Sequence, residues 1–264
     1  MATLTRWAAG VEYQGTAYSG WQSLPGRATV QGTLEAALST VADAPVAVIT
    51  AGRTDAGVHA LQQVVHFDSA APRRADSWLF GVNSLLPEDI SLRWVQPVPA
   101  AFHARFGAIR RDYRYVIHNR RTRSALLARR ATWLLRPLDV EAMAEAAQAL
   151  LGEHDFSSFR DSQCQAPSPV RRLETVSVRR QGDFVLVDVG GNAFLHHMVR
   201  NIVGTLAEVG YGRQPVSWVA AVLAARDRRL AGMTAAADGL YFVGPRYAAE
   251  FDLPPPPTPW FPTA

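Results

Sequence analysis

One carboxylate stands out by its setting. In Ala51-Gly52-Arg53-Thr54-Asp55-Ala56-Gly57-Val58-His59-Ala60, Asp55 sits in a loop bounded by glycines, two residues from the guanidinium of Arg53. An apolar run from Val46 to Thr50 precedes the loop, and another from Val64 to Phe67 follows it. A strand–loop junction of this kind fixes a side chain through backbone geometry rather than bulk. A cationic neighbour keeps a carboxylate ionised and aims it, which suits a nucleophile or a general base. The same residues also fit an Asp bonded to its own turn, so the rest of the chain has to decide.

Most other chemistries lack their residues. All 27 basic residues are arginine. Without lysine there is no Schiff-base site and no phosphate-binding G-x-x-x-x-G-K-[ST] loop. Cys164 is the single cysteine, flanked by Gln163 and Gln165. It makes neither an intrachain disulfide nor a cysteine zinc cluster and reads as an ordinary thiol. His196 and His197 are adjacent, so on a helix they face different sides. His59 and His66 stand apart, and no metal-ligand spacing is seen. No metal and no cofactor are expected.

Positive charge is unevenly spread. Residues 105 to 136 hold ten arginines against one acid, Asp112, in a chain whose net charge is only +4. Concentrated charge is the footprint of a polyanion partner. His103, Tyr113, Tyr115 and His118 are interleaved with Arg105, Arg110, Arg111 and Arg114, and rings among arginines suit stacking on bases. Tyr113 and Tyr115 fit the packed face of a half-buried strand equally well.

The elements that must position these residues follow from periodicity. Strands are expected at Trp7–Tyr13, Val46–Thr50, Gln63–Phe67, Ile90–Val98, Arg110–Ile117 and Leu240–Val243. A hairpin is expected from Arg171–Arg180 and Phe184–Val189 around Gly182. Helices are expected from about Thr29, at Trp78–Leu85, at Leu195–Val209 and at Val216–Ala225. Another runs over Asp139–Leu151, with Asp139 as N-cap and Gly152 as stop. Pro254 to Pro257 reads as an irregular tail. The mixture predicts an α+β fold in two halves, divided at residues 1–105 and 106–264, with a ligand cleft between them. At 264 residues, 48% of them hydrophobic, the chain is long enough for a large core. With no membrane-length apolar run and no basic-then-apolar leader, a cytoplasmic location is expected.

Taken in order, the motifs resemble one family. They are Tyr18-Ser19-Gly20-Trp21-Gln22, Ala51 to His59, Gln63-Val64-Val65-His66-Phe67, Phe102-His103-Ala104-Arg105-Phe106 and Tyr113-Arg114-Tyr115. Next come His154-Asp155-Phe156-Ser157-Ser158-Phe159-Arg160, then Asn192 to Asn201 and Gly239-Leu240-Tyr241. From about Trp7 to Leu253 the series resembles the TruA-type tRNA pseudouridine synthases (tRNA pseudouridine synthase I). The resemblance implies the pseudouridine synthase fold, a mixed, mostly antiparallel sheet with flanking helices and two similar halves around a central cleft. It implies conversion of uridine to pseudouridine at positions 38, 39 and 40 of the tRNA anticodon stem-loop. It also implies a homodimer with tRNA lying across both subunits. In that likeness Asp55 is the catalytic carboxylate and Arg53 its ion-pair partner. Tyr113 stacks near the target base and Leu240 packs against it. From the basic run, Arg105 and Arg114 are expected to contact the RNA.

Such a reaction breaks N1–C1′, turns the uracil and forms C5–C1′, so one carboxylate suffices. Asp55 either attacks C1′ or removes the 2′ proton, and the residues leave both routes open. Two other readings share the same features. An RNA N-glycosidase would admit water and release uracil. A non-catalytic tRNA-binding protein would keep its function in Asp55→Asn.

Overall fold

The computed structural model describes residues 4–258. Two compact units are found, with residues 4–109 and 242–258 in the first and 110–241 in the second. The chain thus leaves the first unit after Ile109 and returns to it at Phe242. Among the described residues no helix is long and apolar enough to cross a membrane.

In the first unit, β1 (Thr5–Tyr13) leads through a 3-10 turn to α1 (Val30–Ala42). Thr29 caps α1 by accepting from Gly32 N–H. After β2 (Ile49–Thr50) come β3 (His59–Ser69), α2 (Ala75–Asn83) and β4 (Ile90–Pro97). β1 lies between β3 and β4, antiparallel to both, and β2 extends β3. The strand expected from Val46 is shorter than its apolar run. α1 side chains take two of its donors, with Ser39 Oγ accepting from Val46 N–H and Glu35 Oε1 from Val48 N–H, each at 2.9 Å. α2 covers the sheet through Trp78, fully buried between Phe67 and Trp7 at ring separations of 5.1 and 6.1 Å.

In the second unit, β5 (Arg110–Asn119) pairs parallel with β6 (Thr132–Leu134) and antiparallel with a later strand. α3 (Val140–Ala147) starts at the Asp139 cap as expected and ends in a 3-10 turn over 148–150. β7 (Gly152–Asp155), β8 (Val170–Gln181) and β9 (Phe184–Gly191) then form an antiparallel series that β9 joins to β5. α4 (Met198–Gly210) begins three residues later than expected, because His197 takes a left-handed φ of +60°. α5 (Trp218–Ala225) precedes β10 (Leu240–Arg246). The strand pairings within the units are antiparallel apart from β5–β6, which makes the fold α+β, as expected.

The C-terminal segment belongs to the first unit through specific bonds. Tyr247 donates to Ala104 O, Gln62 to Pro254 O and Gln96 to Asp252 O. Its side chains Tyr247, Phe251 and Leu253 pack on a core of Ala8, Ala51, Val64, Phe102 and Ala104.

Candidate active site

The Asp55 loop is held from several directions inside the first unit. Ala51 N–H continues the β2–β3 ladder to Val64 O at 2.8 Å, and Gln63 Nε2 donates to Gly52 O at 2.6 Å. Thr54, immediately before Asp55, is buried. Its hydroxyl shares a 2.8 Å hydrogen bond with the hydroxyl of Tyr13, and its carbonyl accepts from Trp21 N–H at 3.0 Å. Burial pushes the Tyr13 phenol up, so it stays protonated at neutral pH. After Asp55 the chain turns through Gly57 at φ +81°, with Val58 N–H on Asp55 O. Asp55 itself is half-buried, with bulk solvent partly excluded.

The glycine that matters most lies outside the loop. Gly20 adopts φ +94°, and a Cβ there would stand 2.8 Å from Thr54 O and 3.2 Å from the Asp55 carbonyl carbon. Gly52, inside the loop, has open space around it. Backbone-to-backbone contact with the Tyr18–Gln22 segment therefore fixes Asp55, more than flanking glycines do. His59 is a buried structural residue whose Nδ1 accepts from Gly15 N–H at 3.1 Å.

The expected Arg53–Asp55 ion pair is not formed. Arg53 is exposed, and among the described residues its guanidinium has no carboxylate within ion-pair distance. An ion pair with an exposed arginine is worth only about 0–1 kcal/mol, so the guanidinium stays hydrated. Asp55 has other interactions within the chain. Arg105, in the same unit, is exposed beside the Phe106 ring.

Tyr113, Arg114 and Leu240 belong to the second unit. Tyr113 is half-buried on β5 and meets Phe194 edge-on at 4.8 Å. Leu240 is buried at the start of β10, where Gly239 O accepts from Val116 N–H. Arg114 forks onto Asp188 at 2.6 and 2.9 Å, and Arg179 binds the same carboxylate. Phosphate would have to displace that pair, so Arg114 is less available to RNA than its sequence position suggests. Arg110 is likewise held by Asp112 and Glu174. Glu174 and Asp188 arrive from β8 and β9, where a count along the arginine run does not see them.

His196 and His197 also differ from expectation. They precede α4, so they are not splayed by a helix, and their rings stack at 3.9 Å. His197 Nδ1 lies 2.8 Å from one oxygen of Asp161, and His196 Nδ1 lies 3.4 Å from the other. Burial opposes the charge on Asp161, but bonds from Gln163 N–H and His197 outweigh it and lower the carboxyl pKa. Asp161 was not legible as a partner, because nothing in the spacing links residue 161 to 197. Cys164 is half-buried, and its sulfur accepts from His196 N–H at 3.4 Å.

Comparison with known proteins agrees with the motif series. The sequence model of the family described as tRNA pseudouridine synthase matches residues 9–107 and 146–248. The tRNA pseudouridine synthase A of Nitrosococcus oceani is 57% identical over 249 residues, covering 94% of this chain and 96% of the relative. The protein of that name from Cronobacter sakazakii is 55% identical, covering 95% and 93%. The one from Bordetella petrii is 55% identical, covering 95% and 94%.

Proposed function

This chain belongs to the tRNA pseudouridine synthase family, and from that premise we propose how its own residues carry out the isomerisation of uridine to pseudouridine in tRNA. Asp55 is the group that acts on the ribose. The observation that carries this assignment is the half-buried Asp55 on a loop bonded to β1 through the Thr54 hydroxyl and, through its backbone, to β3 and the Tyr18–Gln22 segment. Such an anchored loop presents a carboxylate with little reorganisation.

The reaction is balanced within the substrate. The N1–C1′ bond breaks, the uracil turns, C5–C1′ forms, a proton leaves C5 and one arrives at N1. Asp55 either forms a transient ester at C1′ or removes the 2′ proton. Arg53, exposed two residues from Asp55, pairs with Asp55 and the flipped nucleotide where RNA covers the loop. Desolvation by the RNA strengthens that pair. Tyr113 offers a ring to the detached uracil and a phenol for the C5 proton. Leu240 supplies an apolar wall, and Arg105 contacts the RNA backbone.

We place the target at positions 38–40 of the anticodon stem-loop. There, unstacking the base costs a few kcal/mol, which phosphate contacts offset. A homodimer acting in the cytoplasm completes the reading. Pseudouridine mapping on an unmodified tRNA transcript tests it: new pseudouridine at 38–40 is expected. Conversion elsewhere would refute the location, and released uracil would instead indicate an N-glycosidase.

A further inference from the structure

Residues 99–109 form a turn wholly within the first unit, and hydrogen bonds fix its backbone along its length. Arg6 donates to Phe102 O at 3.0 Å, and Ala104 N–H to His66 Nδ1 at 3.1 Å. Tyr247 donates to Ala104 O at 2.7 Å, Gly107 N–H to His103 O at 2.8 Å, and Ile109 N–H to Arg246 O at 2.9 Å. On this frame stands a column of rings. Buried Phe102 meets buried His66 edge-on at 6.0 Å, and His66 meets His103 at 4.8 Å. His103 meets Phe106 at 4.5 Å with the planes 31° apart. His103 also locks the outer end of the column, since its Nδ1 accepts from the N–H groups of both Arg105 and Phe106, at 3.2 and 3.1 Å.

The column starts in the core and ends in water, because Phe106 is 78% exposed. The Arg105 guanidinium carbon lies 5.5 Å from the Phe106 ring centre. A lone exposed apolar side chain is ordinary. This ring is different in being packed against a hydrogen-bonded histidine, with a guanidinium over it. Such a pairing of ring and arginine recognises single-stranded nucleic acid, and a ring already ordered loses little entropy on binding.

We propose that Phe106 is a stacking platform for an unpaired nucleobase of the RNA substrate, with Arg105 held beside it for an adjoining phosphate. The assignment rests on the reading of the protein as an enzyme acting on RNA. It adds a binding position for the RNA and needs no new chemistry.

The test compares wild type, Phe106→Ala, Phe106→Leu and Phe106→Trp on an unmodified tRNA transcript. Stacking is worth about 1–3 kcal/mol per base. Phe106→Ala should therefore raise KM roughly 5- to 150-fold, with the loss falling on KM rather than kcat. Phe106→Leu keeps apolar bulk without a π face and should behave like Phe106→Ala, whereas Phe106→Trp should restore KM. The introduced indole should be quenched by a single-stranded oligonucleotide but not by inorganic polyphosphate. Full rescue by Phe106→Leu overturns the proposal. So does an unchanged KM in Phe106→Ala, or a change in oligomer mass on that substitution with KM intact, which would make Phe106 a contact between copies. If wild type itself neither binds nor converts the transcript, the RNA reading fails first, and the two failures are thereby told apart.

Discussion

The hydroxyl of Tyr13 lies 2.8 Å from Oγ1 of Thr54 in a buried setting, one residue before Asp55. β1 thus reaches across to the loop that carries the chemistry. Removing one partner strands the other without water, at a cost of about 1–3 kcal/mol. Tyr13→Phe and Thr54→Val are each expected to lower kcat roughly tenfold with KM little changed, because Asp55 is displaced while the RNA surface is kept. The double variant should lose much less than the sum. Additive losses in this double-mutant cycle would show that the bond does not position Asp55.

Gly20 provides a second handle on the same loop. Gly20→Ala puts a methyl 2.8 Å from Thr54 O at φ +94°. Gly26→Ala has a similar positive φ of +71° with nothing within 4 Å. Backbone strain of about 1–3 kcal/mol is common to both, so the difference reads the contact. Urea unfolding should show Gly20→Ala to be clearly the less stable of the two, with a lower kcat as well. Equal behaviour would mean that the Gly20 contact is not needed.

Much of the fold was legible because its signals are local. Alternation marked Arg110–Ile117, and Asp139 with Gly152 bracketed a helix. The Asp55 loop was legible as a motif, but its anchors were not. Tyr13 and Gly20 are more than thirty residues upstream, and no spacing rule joins them to Thr54. The arginine run misled for the same reason, since Glu174 and Asp188 approach Arg110 and Arg114 only when β8, β9 and β5 pair. β6 and β7 are too short for alternation to register. Periodicity puts His196 and His197 on a helix because a left-handed residue cannot be read from a histidine.

Acid should destabilise the first unit through His66. Burial, followed by the nearby charges of Arg6 and His103, pushes this imidazole down to about 4. Its Nδ1 accepts from Ala104 N–H, so the neutral ring carries its proton on Nε2. Above pH 6.5 the ring is neutral in both states. Between 6.5 and 4 the unfolded chain gains a proton that the folded chain does not. Stability therefore falls with falling pH, by about 3 kcal/mol in all. Nuclear magnetic resonance titration should find His66 unprotonated at pH 5.5. An ordinary midpoint near 6.5 would contradict this.

Arginines of the basic run should divide by their partners. Arg121 and Arg123 are exposed. Arg121→Gln and Arg123→Gln should each reduce the salt dependence of tRNA binding, by about 0.7–0.9 in the log–log slope. Arg114→Gln should leave the slope nearly unchanged and cost about 1–3 kcal/mol of stability, because it breaks the fork on Asp188. A stable Arg114→Gln variant with a reduced slope would return Arg114 to the RNA surface.

The most direct measurement is single-turnover pseudouridine formation on saturating, unmodified tRNA by wild type and Asp55→Asn. The substitution keeps the shape of the side chain and removes its charge. The expected result is conversion slowed by roughly 10²–10⁴-fold or more, with tRNA affinity kept within a few-fold. An Asp55→Asn protein that makes pseudouridine at the wild-type rate would contradict the assignment of the chemistry to Asp55.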